Sequence, residues 1–347
     1  MDFALSEDQK LFASTVKNLL TEQATPARIR QAWQNELAHP NPVWNELAQM
    51  GVLGMSCPEE HGGLEMTPMD WVVVLEECGR AALPDPVLES MVVGSSLLAQ
   101  LGTDELKARW LPKLAMGEAS LSVALQSEAH VVAADQVDLI LAQKEDKLFA
   151  LEPGQFECTR HDSVDGARRL FTLQWDEAQA TPFAQGLEVS RAIEEAELNG
   201  SLAAAAQLLG LSQQMLDMSI EYAKTRTQFG KAIGTFQAIK HKLADAWLKL
   251  EFARPVVYRA AHSLTHNRTD KALHVSMAKA YASELGMHAS KTALQCHGAI
   301  GYSFEYDLHL WMKRTWSLAS AWGDAAQHRR SIASRILDQD HQEDMQL

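Results

Sequence analysis

A chain of 347 residues is long for a single core, so two or three packed units are expected. Its formal charge of −14 (31 Lys and Arg against 45 Asp and Glu) speaks against a nucleic-acid partner, because phosphate binding needs a basic face. No apolar run approaches the ~20 residues of a membrane span, and the opening MDFALSEDQK puts acids where a signal peptide needs a basic stretch, so a cytoplasmic protein is expected.

Residues 1–116 read as an N-terminal helical domain. Ser6-Glu7-Asp8-Gln9 has the form of a capping box ahead of Leu11, Phe12 and Val16. A second helix fits Val43–Met50, with Trp44 and Leu47 on one face, and it stops at Gly51. PEEHGGL (58–64) is a loop by its Pro and paired glycines. Further helices are expected over Met69–Cys78, Val87–Gln100 and Asp104–Leu114.

Residues 117–186 differ in pattern. LSVAL, DLILAQ, KLFAL and RLFTLQW are short apolar or alternating runs between polar turns, which predicts a small antiparallel β domain. Over 187–347 the helical period returns, with helices expected at 190–225, 236–263, 270–297 and 304–338. Short connections predict a C-terminal four-helix bundle, and the small residues of SLAAAAQLLG allow close helix approach. The fold expected is mainly α with a small middle β domain.

The four cysteines (Cys57, Cys78, Cys158, Cys296) are far apart and read as reduced thiols, neither disulfides nor zinc ligands. His297, His309 and His328 have no matching Cys or carboxylate spacing, so no metal is expected. Trp311, Trp316 and Trp322, near helical spacing, read as core or interface residues.

RTQFGKAIGTFQ (226–237) interrupts the helical pattern with Gly230 and Gly234. Glycine lets a backbone turn tightly and approach a neighbour, the planar guanidinium of Arg226 suits phosphate oxygens, and the Phe229 ring could cover an aromatic ligand. On these residues alone, a plain helix–helix turn with a surface Arg is the commoner reading.

Five motifs in order along the chain resemble the acyl-CoA dehydrogenases: LSEDQ, PEEHGG, WLPKLAMGE, Y-x3-R-x-QFG-x3-G-x-FQ and QCHGAIGYSFEYDLHLWMKR. The resemblance implies a helical–sheet–helical fold, FAD as cofactor, tetramers built from dimers, α,β-desaturation of an acyl-CoA substrate, and an electron-transfer flavoprotein or similar acceptor. It implies that Arg226 and Phe229 meet the pyrophosphate and adenine side of FAD, with Gln237 in the same region. Gln295, His297, Gly298 and Ala299 would wrap the adenosine half, Ala299 standing where a second Gly is common. These residues would serve the FAD held mainly by the neighbouring subunit.

The reaction needs a carboxylate to take the α-proton, and the family places it at one of two positions. Here those positions hold Trp322 and Gly200. Glu195, Glu197 and Asp324 are the nearby acids, and the expectation is that no catalytic residue lies in this chain. The Gly-rich loop that lines the flavin ring is replaced by ALQSEAHVVAADQ. The pattern resembles the short subunits of heteromeric α2β2 acyl-CoA dehydrogenases of sterol and bile-acid side-chain degradation, with GRAALPDP and WGDAAQHRR nearest that branch. A second, catalytic dehydrogenase subunit is therefore the expected partner. A self-sufficient homo-oligomer with a relocated base and a flavin-free scaffold are the alternatives.

Overall fold

A computed structural model describes residues 5–34, 41–128 and 130–344. The chain begins with α1 (Glu7–Gln23), whose capping box forms: Gln9 N–H donates to Ser6 Oγ at 3.1 Å and Ser6 N–H to Gln9 Oε1 at 2.9 Å. α2 (Pro26–Trp33), not anticipated from the pattern, starts with Pro at its first position. Then come α3 (Pro42–Gln49), a short 3-10 turn in PEEHGGL, and α4 (Pro68–Arg80). The helix expected over Val87–Gln100 forms, but Leu88–Gly94 winds as a π-helix before α5 (Ser95–Leu101). α6 (Asp104–Ala115) closes the segment.

The middle segment holds two sheets. β1 (Leu121–Ala124), β3 (Leu139–Lys144), β4 (Lys147–Leu151) and β7 (Pro182–Gln185) form one, in the order β1-β3-β4-β7. β2 (Val131–Val132), β6 (Leu170–Gln174) and β5 (Glu157–His161) form the other. Pairing is antiparallel except between β1 and β3, which run parallel with Leu121 opposite Leu139; this corrects the expectation of a wholly antiparallel domain. The connection from β1 to β3 passes through the other sheet, so β1 returns in the same direction as β3. Phe149, Ile140, Leu151 and Phe171 fill the space between the sheets.

The C-terminal bundle is α7 (Leu187–Thr225), α8 (Gln237–Thr265), α9 (Lys271–His297), α10 (Leu308–Ser320) and α11 (Ala325–Asp344). The small residues of α7 act as expected. A Cβ on Gly210 would lie 1.8 Å from the Glu76 carbonyl oxygen, and one on Gly79 2.1 Å from that of Gln207, so α4 and α7 cross backbone against backbone. The single helix expected over 304–338 is two helices. They break at Ala321-Trp322-Gly323-Asp324, where Trp322 and Gly323 take left-handed φ values of 56° and 85°.

One buried cluster joins the three segments. Asp165 of the middle segment pairs with Arg314 of α10 and accepts from Trp33 Nε1 of α2 at 3.1 Å, while Arg314 also donates to the Leu83 carbonyl. Removing one partner of a buried ion pair strands the other charge. Arg314→Met should therefore lower the unfolding free energy by about 3–5 kcal/mol, read by denaturant titration, whereas a loss below 1 kcal/mol would mean that the cluster does not join the segments.

Candidate functional site

The break between α7 and α8 is a β-hairpin. Arg226 caps α7, its N–H bonded to the Tyr222 carbonyl at 2.8 Å, and its own carbonyl accepts from Ile233 N–H at 2.8 Å. β8 (Thr227–Gln228) pairs with β9 (Lys231–Ala232) around Phe229 and Gly230, at φ 53° and 77°. Two successive left-handed residues make a type I′ turn, a place that favours Asn, Asp and Gly. Phe229 pays a steric cost of about 1–2 kcal/mol there, and its ring is 91% exposed. Gly234 is needed for close approach, since a Cβ there would meet the Ala223 carbonyl oxygen at 2.9 Å.

Gln237 opens α8, whose N-terminus has no side-chain cap and so presents its first N–H groups as a positive end. Among the described residues no acid pairs with the Arg226 guanidinium. At the same end of the bundle, α9 finishes with exposed Gln295 and buried His297, and Gly298 and Ala299 are exposed beyond it. His297 stacks on Tyr222 of α7 at 4.4 Å, which brings the ends of α7 and α9 together. Its Nδ1–H donates to the Ala293 carbonyl at 2.8 Å, leaving Nε2 to accept the Tyr306 hydroxyl at 3.1 Å. Burial pushes its pKa down, so the ring is neutral and holds the turn. The seven residues expected to meet a cofactor thus converge on one end, with His297 turned inward. The exposed ring, the unpaired guanidinium, the uncapped helix start and the open backbone at Gly298 fit a nucleotide diphosphate.

The α10–α11 turn is built differently. The Trp322 indole is buried against α7, where a Cβ on Gly200 would lie 2.5 Å from its ring carbons. The two positions expected to carry a base are therefore in contact, and an indole fills the space. Four groups grip the turn. Trp322 N–H donates to Glu128 Oε1 at 2.9 Å, and the Trp322 carbonyl accepts from Ser201 Oγ at 3.0 Å and from His328 Nε2 at 2.9 Å. Lys279 of α9, fully buried, donates to the carbonyls of Ala319 at 3.0 Å and Gly323 at 2.8 Å. Burial pushes its pKa down to about 7. Asp324 is spent as the N-cap of α11, accepting from Gln327 N–H at 2.7 Å. Glu195 pairs with Lys271.

Glu128 is the acid that the motif reading passed over. It stands in ALQSEAHVVAADQ, whose Ala129 is outside the described residues, and its chemistry shows only once that loop folds against Trp322. Burial pushes its carboxyl up to about 7, against the opposing pull of Arg168 and the Trp322 N–H. Together with the Trp322–Gly323 turn it separates a cavity of about 310 Å³, which Glu197 lines, from one of about 420 Å³ on the side of the middle segment. Lys279 could have been flagged by spacing, since it shares the inward face of α9 with Val275, Ala282 and Gly286.

Trp311 and Trp322 are buried, and Trp316 donates to Ser290 Oγ at 3.1 Å. His309 packs on Trp33 and Phe304. Among the described residues no group of three His, Cys, Asp or Glu could hold a metal ion, and no helix is long and apolar enough to cross a membrane.

Comparison with known proteins matches two family profiles: the acyl-CoA dehydrogenase N-terminal domain over residues 6–118 and the acyl-CoA dehydrogenase C-terminal domain over 191–337. The chain is 30% identical over 333 residues to the acyl-CoA dehydrogenase IpdE2 of Mycobacterium tuberculosis, covering 96% of this chain and 98% of that one. The fold is shared with the Tcur3481–Tcur3483 steroid ACAD (TM-score 0.87, 24% identity, 96% of this chain and 99% of that chain). It is shared also with the ChsE4–ChsE5 complex from Mycobacterium tuberculosis (TM-score 0.84, 24% identity, 97% and 99%).

A carboxyl raised in the folded state costs stability once it ionises, so the cost grows as pH climbs from its unfolded value of 4.5 to about 7 and is complete above. Glu128→Gln, which cannot ionise, should be more stable than wild type at pH 8 by roughly 2–3 kcal/mol. The gap should close as pH falls to about 3.5, where the wild-type carboxyl is mostly protonated in both states. Melting curves at the two pH values read it, and an equal gap at both would mean that Glu128 is not raised.

Proposed function

This chain belongs to the acyl-CoA dehydrogenase family, and from that premise we propose that it is a subunit of an FAD-dependent heteromer, completing the FAD site of a catalytic partner chain. What supports this is a contrast within one chain: an open cofactor end and a plugged pocket. Lys279, at the plugged turn, and His297, at the open end, are eighteen positions apart on α9. At the helical rise that is about 27 Å, so side chains at one end do not serve the other.

The reaction is α,β-desaturation of an acyl-CoA thioester. FAD supplies the hydride acceptor for the β-hydrogen. From this chain, Arg226 and the α8 N-terminus would face the pyrophosphate, as opposite charge and free N–H groups suit an anion. Phe229 would cover the adenine side, with Gln237, Gln295, Gly298 and Ala299 around the adenosine and His297 holding their turn. The carboxylate that removes the α-proton belongs to the partner, because Trp322 fills its place here. Electrons leave to an electron-transfer flavoprotein or a similar acceptor, and the complex works in the cytoplasm. Two relatives in fold are named as pairs of chains, one of them a steroid ACAD, which supports an α2β2 assembly and a sterol or bile-acid side-chain substrate.

A self-sufficient enzyme has one observation in its favour, the Glu128 carboxyl with its pKa near 7 beside two cavities. Turnover at full flavin loading separates the readings. Glu128→Gln, Glu197→Gln and Asp324→Asn should each keep turnover within a few-fold of wild type. A loss of 10²–10⁴-fold in any of them would make that residue the base and this chain catalytic.

Arg226→Ala removes a charge-assisted contact worth about 1.5–3 kcal/mol, or roughly ten- to a hundred-fold in affinity. It should lower FAD occupancy of the complex by flavin absorbance, and unchanged occupancy would make Arg226 a surface residue at a turn. With its partner the chain should carry about one FAD per heterodimer, and alone it should carry little. A yellow homotetramer with one FAD per chain would end the reading.

A further inference from the structure

We infer that the cleft where α1, α4, α7 and α10 meet is a binding site for a small zwitterion with an apolar tail, of the class of a free α-amino acid. The cleft is separate from the cofactor end and from the Trp322 turn, and its occupancy does not depend on the heteromer reading.

The cleft has a volume of about 300 Å³. At about 30 Å³ for a water in the liquid, that is space for a ligand of roughly ten heavy atoms. Apolar side chains form its lining: Leu20 of α1, Met218 of α7 and the Trp311 ring of α10, whose Nε1–H already donates to the Arg80 carbonyl at 2.8 Å. Four charged side chains line it as well. Two of them are matched, Arg80 by Asp217 at 2.6 Å and Asp307 by Arg30 at 2.8 Å. The other two are Lys17 of α1 and Glu77 of α4, and among the described residues neither side chain forms an ion pair or a hydrogen bond.

Glu77 shows what the cleft lacks. Burial raises its carboxyl above the usual value, and the pull of Lys17, from beyond ion-pair distance, does not offset that. Its neighbour Glu76 points to α8 instead, where it accepts from Arg254 Nε at 3.0 Å and from the Tyr258 hydroxyl at 2.9 Å. A partly buried carboxyl without a partner is costly, and on α4 it is the one that faces the cleft. The Gln214 side chain of α7 also lines the cleft and has no hydrogen-bond partner among the described residues.

Two unmatched charges of opposite sign select the ligand. A plain carboxylate would satisfy Lys17 and confront Glu77, and a plain amine would do the reverse. A molecule with both groups gives each its opposite, carboxylate to Lys17 and ammonium to Glu77, while the Gln214 amide can bond either. In an α-amino acid the two charged groups share one carbon, which suits two residues that face one small cleft without reaching each other. Leu20, Met218 and Trp311 favour an aliphatic side chain, since a polar one would lose water there without gaining a partner.

Isothermal titration of L-leucine into the full chain tests this. Binding should saturate with a Kd of about 1 mM or tighter. Leucine lacking its amine (4-methylpentanoate) and leucine lacking its carboxylate (isopentylamine) should each bind at least about tenfold more weakly. Lys17→Met and Glu77→Gln should lower L-leucine affinity by a similar factor with unchanged circular dichroism, and Lys17→Arg, which keeps the charge, should retain binding. N,N,N-trimethyl-L-leucine, which has no N–H to give Glu77, should bind weakly, and tighter binding than L-leucine overturns the amino-acid class. Equal affinity for 4-methylpentanoate and L-leucine overturns the zwitterion. Affinity unmoved by both Lys17→Met and Glu77→Gln overturns the place, and no saturable binding up to about 10 mM L-leucine overturns the site.

Discussion

The Arg314–Asp165 ion pair is the contact on which the arrangement of the three segments depends. It sits where α10, the middle segment and the N-terminal helices meet, both side chains buried, with Trp33 donating to Asp165 and the Leu83 carbonyl accepting from Arg314. A buried pair contributes little net energy compared with an apolar core, but it tolerates few alternative geometries. Its effect is on position. It fixes α10 against the middle segment, and α10 ends at the turn that carries Trp322. The loop bearing Glu128 is thereby held within a hydrogen bond of that turn.

Around this fixed point the chain has two ends of opposite character. At the α10–α11 turn, polar groups from four elements hold one backbone segment, and an indole fills the volume over Gly200. Holding Lys279 out of water, and Glu128 partly so, is costly, and their pKa values move toward neutrality in opposite directions as a result. Structure that costly is retained where it holds a defined geometry, here a closed one. At the hairpin the reverse holds, with a strained, exposed Phe229 edge-on to Phe236, a guanidinium that no acid pairs among the described residues, and an uncapped helix start. A monomer gains little from those features. They become favourable when another molecule supplies the missing contacts, which is why the functional reading places that molecule there.

Much of the fold was legible from local pattern. Ser6 and Gln9 announced α1, and Gly51 ended α3, because capping and left-handed glycine are properties of a few adjacent residues. The long C-terminal helices followed from period alone. The seven residues expected to meet a cofactor were picked out through motif order, and the structure gathers them at one end of the bundle. What pattern missed were elements whose stability is not local. α2 has only eight residues, β2 only two, and β5, which is polar, and β7, which has only four residues, are edge strands that exist through their pairing partners. The helix expected over 304–338 breaks because Lys279, some forty residues upstream, holds the carbonyls on both sides of the break.

The sequence by itself determined that Trp322 and Gly200 stand where a base would be, and that a basic, glycine-interrupted hairpin lies in an acidic chain. Those are statements about residue identity, and no fold is needed to make them. Only the tertiary structure decided that the indole of Trp322 lies on Gly200 and that Glu128 is the acid at the turn. Each of these joins residues far apart in the chain. Contact between them, and the burial that moves the Glu128 and Lys279 pKa values, arises when helices and sheets pack, and no local sequence pattern records it.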